Sequence, residues 1–182
     1  MRAGDAAAFT SLYERYYDDV LRYARRRVDE QTARDVAAET FLVAWRRPGQ
    51  VPGEEPLPWL YAVARNTLAN VLRGRSRDAA LGVRVRAASV AAGVPTADPA
   101  DVVVQSVEVA AALGRLSRPD QEALQLVAWE DLDLAAAAQV VGCSAATFAV
   151  RLHRARRRLG RLLAAPSPEA DSTYRVFETE AT

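Results

Sequence analysis

The chain has 182 residues, of which 50% are hydrophobic and 26% charged, and its formal net charge at pH 7 is +1. This size and composition predict a core of ordinary size, and they exclude a chain that is disordered as a whole or a disulfide-stapled miniprotein. No stretch approaches the roughly 18 uninterrupted apolar residues of a membrane span, and residues 1–5 lack a secretion signal. We therefore expect a cytoplasmic protein that does not insert into a membrane.

Residue types that support chemistry are scarce in this chain. Cys143 is the only cysteine and His153 the only histidine, so the usual zinc ligand sets cannot form. The sequence also lacks a nucleotide-binding loop and a paired-carboxylate motif. We expect no metal, no cofactor and no catalytic residue, and an enzyme is the least favoured function.

The first half of the chain predicts three helices. Apolar residues at three- and four-residue spacing predict the buried stripe of the first helix. The second helix is predicted from Thr32 to Arg47, and the third begins near Pro58 and ends at about Arg75. The stripe of the first helix consists of Phe9, Leu12, Tyr13, Tyr16, Val20, Leu21, Ala24 and Val28.

The second predicted helix is apolar on more than one side. Val36, Thr40, Val43 and Ala44 are expected in the core. A separate mixed stripe contains Asp35, Ala38, Glu39, Leu42 and Arg46, with Phe41 and Trp45 near it. Such a stripe favours a protein partner, although both sides of a helix can be packed in a small bundle.

The third predicted helix has a mixed polar face. Its buried stripe is predicted to contain Leu60, Val63, Ala64, Thr67 and Val71. The opposite face carries Tyr61, Arg65, Asn66, Ala69, Asn70 and Arg73. This face suits an unpaired nucleic-acid strand, and it is equally explained as an ordinary polar helix surface.

Residues 79–100 are small, weakly periodic and end in two closely spaced prolines, which predicts a flexible linker between domains at 5–78 and 101–164. Residues 165–182 are acidic, and we expect them to be disordered. No segment has the period of a strand, so the predicted fold is all-α, with two small helical domains. The helices predicted in the second domain are Val102 to Leu116, Arg118 to Trp129, Leu134 to Val141 and Ala145 to about Ala164.

Leu134 to Phe148 has the pattern of a helix-turn-helix, with Gly142 at the turn and Ser144 as the cap of the last helix. One-sided arginine on that helix favours DNA recognition over a solvated face or an acidic partner. The side expected in the core contains Phe148, Leu152, Ala155, Leu159 and Leu162. The opposite side contains Ala146, Ala149, Val150, His153, Arg154, Arg157 and Arg161, with Arg151, Arg156 and Arg158 on its flanks.

Three segments in this order resemble the extracytoplasmic-function group of bacterial RNA polymerase sigma factors. They are residues 35–45, residues 59–66 and residues 147–156, and the likeness runs from about Phe9 to Leu163. The resemblance implies a promoter-specificity subunit in which residues 5–78 are the family's region 2 and residues 101–164 its region 4. The alternative is a stand-alone helix-turn-helix regulator with an N-terminal sensor or dimerisation domain, but that reading leaves residues 59–66 unexplained.

The resemblance also implies partners and contact residues. Core RNA polymerase would bind through the clamp helices of its largest subunit and the flap of its second-largest, and promoter DNA through two elements. An anti-sigma factor is a further implied partner. The clamp-binding residues are Asp35, Ala38, Glu39, Leu42 and Arg46. The loop 48–58 and the third helix would melt the minus 10 element and hold a flipped base, through Trp59, Tyr61, Arg65, Asn66, Asn70 and Arg73. The minus 35 contacts are Ala146, Thr147, Ala149, Val150, Arg151, His153, Arg154 and Arg157.

Four positions depart from the family pattern. Ala38 stands where the family usually has Gln, and Ala136 where an acid is common. Ala149 and Val150 stand where basic or small polar residues are common. Alanine and valine can contact a thymine methyl group but cannot form bidentate hydrogen bonds with a purine, so the minus 35 sequence does not follow from the family.

Overall fold

The computed structural model describes the backbone of residues 3–80 and 101–164 and the side chains of residues 6–75 and 108–164. These parts contain α-helices, one short 3₁₀ helix at Pro48–Gln50 and no strand, which confirms the predicted all-α class. The linker and tail predictions, apart from residues 79 and 80, lie outside the described residues. The helices are α1 (Ala3–Arg25), α2 (Glu30–Arg46), α3 (Pro56–Ala80), α4 (Asp101–Gly114), α5 (Arg118–Ala128), α6 (Leu134–Val141) and α7 (Ala145–Ala164).

The start of α2 is fixed by a side-chain cap. The carboxylate of Asp29 accepts the backbone N–H of Thr32 at 3.0 Å, so α2 begins at Glu30, before the predicted Thr32. The Thr32 hydroxyl donates to the same carboxylate at 2.9 Å, and Arg75 from α3 donates at 3.1 Å. Backbone and side-chain hydrogen bonds from Thr32, with the Arg75 contact, hold the pKa of Asp29 at about 2.

The core of the N-terminal helices forms where α1, α2 and α3 pack against one another. Val20, Val36 and Leu60 supply one fully buried residue from each helix. The predicted stripe of α1 is confirmed at Val20, Leu21, Ala24 and Val28, although Val28 lies beyond the end of the helix. It is wrong at Tyr13, which is 39% exposed because the aromatic side chains of its own stripe collect at the edge of the bundle.

The chain divides into two compact units. Among the described residues, the first unit contains α1, α2, α3 and residues 125–149, and the second contains residues 101–124 and 150–164. Within the first unit, α6 packs on α3, and its small residues Ala137 and Ala138 are buried. Small side chains allow a close approach of two helix axes. The domain limits at 78 and 101 came from linker composition, and they stay a prediction.

Candidate functional site

The outer stripe of α2 is exposed as predicted. All five of its members lie on the side of α2 that faces away from the buried residues Val36 and Thr40. Leu42 is 37% exposed, so it presents an apolar surface among charged neighbours. The stripe consists of Asp35, Ala38, Glu39, Leu42 and Arg46.

An aromatic groove lies beside this stripe, between α1 and α2. The ring centroids of Tyr13 and Tyr17 are 4.8 Å apart, and those of Tyr13 and Phe41 are 5.0 Å apart. Partial burial and the neighbouring Tyr17 raise the pKa of Tyr13. The groove has a volume of 510 Å³, and Ala38 and Leu42 of the α2 stripe line it. An apolar groove with a charged rim has the composition of a protein-binding surface.

Sequence reasoning missed the contribution of α1 to this groove. It assigned Tyr13 to the core and gave no role to Tyr17. The usable signal was the spacing of Phe9, Tyr13 and Tyr17, which places three aromatic rings along one side of a helix. Three rings on one side exceed what the small N-terminal part of α1 can bury.

A larger cavity lies between α1, the end of α2 and the loop that follows. Its volume is 810 Å³, and its wall includes Arg15 and Tyr16 of α1, Trp45 of α2 and Glu54 of the loop. The 3₁₀ helix Pro48–Gln50 keeps the loop close to α2, because the N–H of Gln50 donates to the carbonyl of Arg47 at 2.9 Å. The cavity therefore combines three aromatic rings, those of Phe9, Tyr16 and Trp45, with one cation and one acid.

The polar face of α3 is exposed in part. Asn66, Asn70 and Arg73 are exposed, and Arg73 donates to the Asn70 amide oxygen at 2.5 Å. Trp59 and Arg65 are half-buried. The predicted exposure of these residues is thus confirmed for three members, and these three can reach a strand that passes along α3.

The predicted exposure of Tyr61 is wrong. Tyr61 is 1% exposed, and its ring stacks on that of Tyr23 at 4.8 Å. Burial and the nearby charge of Glu130 raise the pKa of its hydroxyl. The buried face of α3 includes Leu68 and is rotated toward Tyr61, because α6 packs on α3. Val63, Thr67 and Val71, predicted in the core, are half-buried.

The helix-turn-helix is present at the predicted position. Gly142 ends α6 in the left-handed region at φ 73°, and the N–H of Cys143 donates to the carbonyl of Ala138 at 3.0 Å. Ser144 caps α7 by accepting the N–H of Thr147 at 3.2 Å.

In the described parts of the chain no single helix is both long and apolar enough to cross a membrane. By length and composition only α6 and α7 together qualify, across a bend of 97°.

The two faces of α7 divide as predicted. Phe148, Leu152 and Ala155 are buried, and Leu159 and Leu162 are half-buried. The opposite face is exposed at Ala146, Thr147, Val150, His153, Arg154 and Arg157, and half-buried at Ala149 and Arg151.

The arginines of this face are available to an external anion. Among the described residues, no carboxylate pairs with Arg154 or Arg157, whereas Arg158 on the flank pairs with the buried Asp120. Exposed guanidinium groups beside short side chains are suited to contact phosphates while the helix lies in a groove of DNA.

Two protein-family models match the chain. Sigma-70 region 2 matches residues 12–78, and Sigma-70, region 4 matches residues 106–159. The first match contains the α2 stripe and the polar face of α3. It also contains those residues of the aromatic groove and of the larger cavity that lie from residue 12 onward. The second contains the helix-turn-helix and the exposed face of α7.

Curated relatives match over most of the chain. It is 36% identical over 170 residues to the ECF RNA polymerase sigma factor BldN of Streptomyces coelicolor. The matched segment covers 89% of this chain and 62% of BldN. It is 31% identical over 161 residues to the ECF RNA polymerase sigma factor SigL of Mycobacterium tuberculosis, which covers 86% of this chain and 89% of SigL. The chain thus spans less than two thirds of the length of BldN.

Two solved structures have a similar fold. The sigma factor RpoE of Bartonella quintana, in complex with the anti-sigma factor NepR, matches with a TM-score of 0.68 and 25% identity, over 88% of this chain and 99% of that one. CnrH, in complex with the cytosolic domain of CnrY, matches with a TM-score of 0.60 and 24% identity, over 89% of this chain and 91% of that one.

Proposed function

This chain belongs to the extracytoplasmic-function group of RNA polymerase sigma factors, in the sigma-70 family, and we propose on that premise that it is a promoter-specificity subunit. It binds core RNA polymerase and directs transcription initiation at a specific set of promoters. The observation that carries this proposal is the exposed face of α7, where Arg154 and Arg157, which pair with no carboxylate of the described residues, flank short side chains on the second helix of a helix-turn-helix.

Core polymerase binds at the α2 stripe and the aromatic groove. Leu42 and Tyr13 supply exposed apolar surface at the centre, and Asp35, Glu39 and Arg46 supply a charged rim. Large side chains at the centre of a contact usually carry most of the binding energy, while the rim sets orientation. The clamp helices of the largest subunit are the partner that the family resemblance assigns to this surface.

The minus 10 element binds at α3 and at the cavity beside it. Asn66, Asn70 and Arg73 are exposed for contacts to the strand. A base that leaves the duplex enters the 810 Å³ cavity, where Tyr16 and Trp45 offer rings for stacking and Arg15 offers hydrogen-bond donors. Tyr61 supports this surface from below rather than contacting DNA, because it is buried.

The minus 35 element binds at α7. Arg154 and Arg157 contact phosphates, while Ala146, Val150 and His153 face the base edges. Contacts of Ala149 and Val150 with base edges are apolar, which favours thymine methyl groups over purine edges.

The chain acts by binding and contributes no catalytic group of its own. Contacts with the melted strand offset the cost of unpairing, and phosphate contacts give the affinity a strong salt dependence. It acts in the cytoplasm, where core polymerase is present. An anti-sigma factor is a further partner, because the similar sigma factor RpoE was solved with the anti-sigma factor NepR.

Reconstitution with bacterial core RNA polymerase tests the proposal. The chain is co-purified with core enzyme, and run-off transcription is measured on a library of genomic promoters. Stable association and new start sites that share upstream sequences support a sigma factor. No association with core enzyme, together with specific duplex binding by the free chain, would instead support a stand-alone regulator.

A further inference from the structure

A buried acid of α5 pairs with one arginine of α7. The carboxylate of Asp120 accepts a hydrogen bond from Arg158 Nη1, and both residues belong to the second compact unit. The Asp120 side chain is 7% exposed, whereas that of Arg158 is 51% exposed. The exposed end of this contact therefore lies beside the surface of α7 that the proposed function assigns to DNA. The two residues are called the Asp120–Arg158 pair below.

The backbone around Asp120 is held by hydrogen bonds at the start of α5. The N–H groups of Asp120 and Gln121 each donate to the carbonyl of Ser117 at 2.9 Å. The side-chain amide of Gln121 donates to the carbonyl of Leu116 at 2.9 Å, which ties α5 to the turn before it. The first turn of a helix also favours a negative charge. Asp120 is thus a fixed, charged acceptor for Arg158.

The position of Arg158 on α7 would allow it to reach DNA. At about 100° per residue, Arg158 lies about 40° around the helix from Arg154 and about one turn further along it. A guanidinium released at this position would therefore face the same phosphate backbone as Arg154. Arg154 and Arg157 have no carboxylate partner in the part of the chain that the structure describes. The contact with Asp120, and not the location on the helix, distinguishes Arg158 from them.

The Asp120–Arg158 pair is expected to persist when α7 lies on DNA. Among the described side chains, Arg158 is the donor to the carboxylate of Asp120. Its departure would leave a buried charge without a partner, which is one of the most costly changes in a folded protein. A phosphate contact at the surface is screened by water and salt and returns less free energy. The carboxylate of Asp120 therefore retains Arg158 against a phosphate.

The Asp120–Arg158 pair also fixes the rotation of α7 about its own axis. Leu152 and Ala155 are buried on one side of this helix, but apolar contacts have no preferred direction. A charge-assisted hydrogen bond does have one. Because Arg158 directly follows Arg157, the contact with Asp120 sets the direction in which Arg157 projects.

We propose that Asp120 is a positioning residue for promoter binding, which acts through Arg158 and does not touch DNA. This inference rests on the proposed function. The Asp120–Arg158 pair withholds one guanidinium from the phosphate backbone, so the phosphate contacts of α7 stay on Arg154 and Arg157. Phosphate contacts supply binding that is independent of sequence. Asp120 therefore limits binding to non-promoter DNA and raises the ratio of specific to non-specific affinity.

The salt dependence of DNA binding tests this role. Asp120→Asn keeps the size of the side chain but removes its charge, so Arg158 is expected to gain one phosphate contact. The slope of log affinity against log salt should then steepen by about 0.9, which increases the affinity gained between about 200 and about 50 mM salt by roughly 3.5-fold. A residue that only stabilised the fold would lower the affinity at every salt concentration and leave the slope unchanged.

Three further variants isolate the effect of Arg158. Glu108→Gln is the matched control, because Glu108 is an exposed acid of α4 in the same unit and its loss changes the net charge equally. Arg158→Gln should leave the slope unchanged, since a paired guanidinium contacts no phosphate. Asp120→Asn with Arg158→Gln should restore the slope of the unsubstituted chain. This double variant leaves no buried charge unpaired, and it decides the question if Arg158→Gln alone loses helix content by circular dichroism.

Anisotropy of a labelled duplex without promoter sequence gives the slopes for the full chain alone, and promoter and non-promoter duplexes are then compared with the polymerase complex. We expect the ratio of promoter to non-promoter affinity to fall in Asp120→Asn and to be unchanged in Glu108→Gln. Equal slopes for Asp120→Asn and Glu108→Gln would overturn the proposal, as would a shallower slope for folded Arg158→Gln. If the unsubstituted chain does not associate with core polymerase, the proposed function fails, while the slopes of the chain alone still decide the role of the Asp120–Arg158 pair.

Discussion

The carboxylate of Asp29 caps α2 and binds Arg75, and both contacts favour its charged form. Its pKa in the folded chain is about 2, below the ordinary value of 3.8. The charged form therefore stabilises the fold above the ordinary pKa, and this stabilisation is lost as the pH falls toward the folded pKa.

We expect Asp29→Asn to lower the melting temperature at pH 6, because Asn keeps the cap but loses the charge-assisted bonds. The difference from the unsubstituted chain should narrow as the pH falls from about 4 toward 2. Thermal unfolding followed by circular dichroism at several pH values measures this. Asp18→Asn, an exposed acid of α1, serves as control. A difference that stays constant across this range would contradict the assignment.

Residue exposure was predictable where neighbours in sequence decide it. The periodicity of α7 placed Phe148, Leu152 and Ala155 correctly, because one buried stripe accounts for that helix. It failed for Tyr61, whose burial depends on Tyr23 and on residues around Glu130, which are distant in sequence. The periodicity of one helix cannot predict which residues from a distant part of the sequence will pack against it.

At the scale of elements, the turn between α6 and α7 depends on one glycine. Gly142 has φ +73°, a conformation that side chains rarely adopt, although space for a Cβ is present. We expect Gly142→Ala to destabilise the chain by about 1 kcal/mol through backbone strain. Gly160→Ala, at an open and exposed site within α7, is expected to stabilise it by about 0.5–1 kcal/mol. Urea unfolding measures both, and equal signs for the two variants would refute this explanation.

The exposed arginines of α7 are expected to act on DNA as a pair. Arg154→Ala with Arg157→Ala should weaken promoter binding by the polymerase complex and reduce the slope of log affinity against log salt by about 2, at roughly 0.9 per phosphate contact. Arg115→Ala with Arg118→Ala removes the same charge from exposed sites outside α7. Binding measured at several salt concentrations distinguishes the two pairs. An equal loss of slope in both would indicate a general effect of charge.

The ends of the elements were predictable wherever a capping residue or proline marks them. Gly142 and Ser144 fixed the limits of α6 and α7, and Pro48 the end of α2. The end of α3 was predicted too early, since no stop residue follows Arg75 and the helix continues to Ala80. The aromatic groove was missed for a different reason, because its walls come from two helices.

At the scale of the whole molecule, the domains predicted from the sequence differ from the two compact units of the structure. Linker composition predicted a boundary between residues 78 and 101, and the family models match on either side of it. The compact units instead place residues 125–149 with the N-terminal helices. Contacts such as that of Arg27 with Glu130 cross more than one hundred residues, so local periodicity could not have predicted them.

In the proposed function two separate surfaces serve polymerase and promoter, and equilibrium titration of the chain with core RNA polymerase distinguishes them. Anisotropy of a dye at the amino terminus reports the dissociation constant for three chains. We expect Asp35→Ala with Leu42→Ala to weaken binding at least about tenfold, or about 1.4 kcal/mol, through loss of the apolar centre and one rim charge. Arg154→Ala with Arg157→Ala should leave the constant within about twofold, because phosphate contacts are not used without DNA. Unchanged polymerase affinity in the first variant would mean that the α2 stripe is not the polymerase-binding surface.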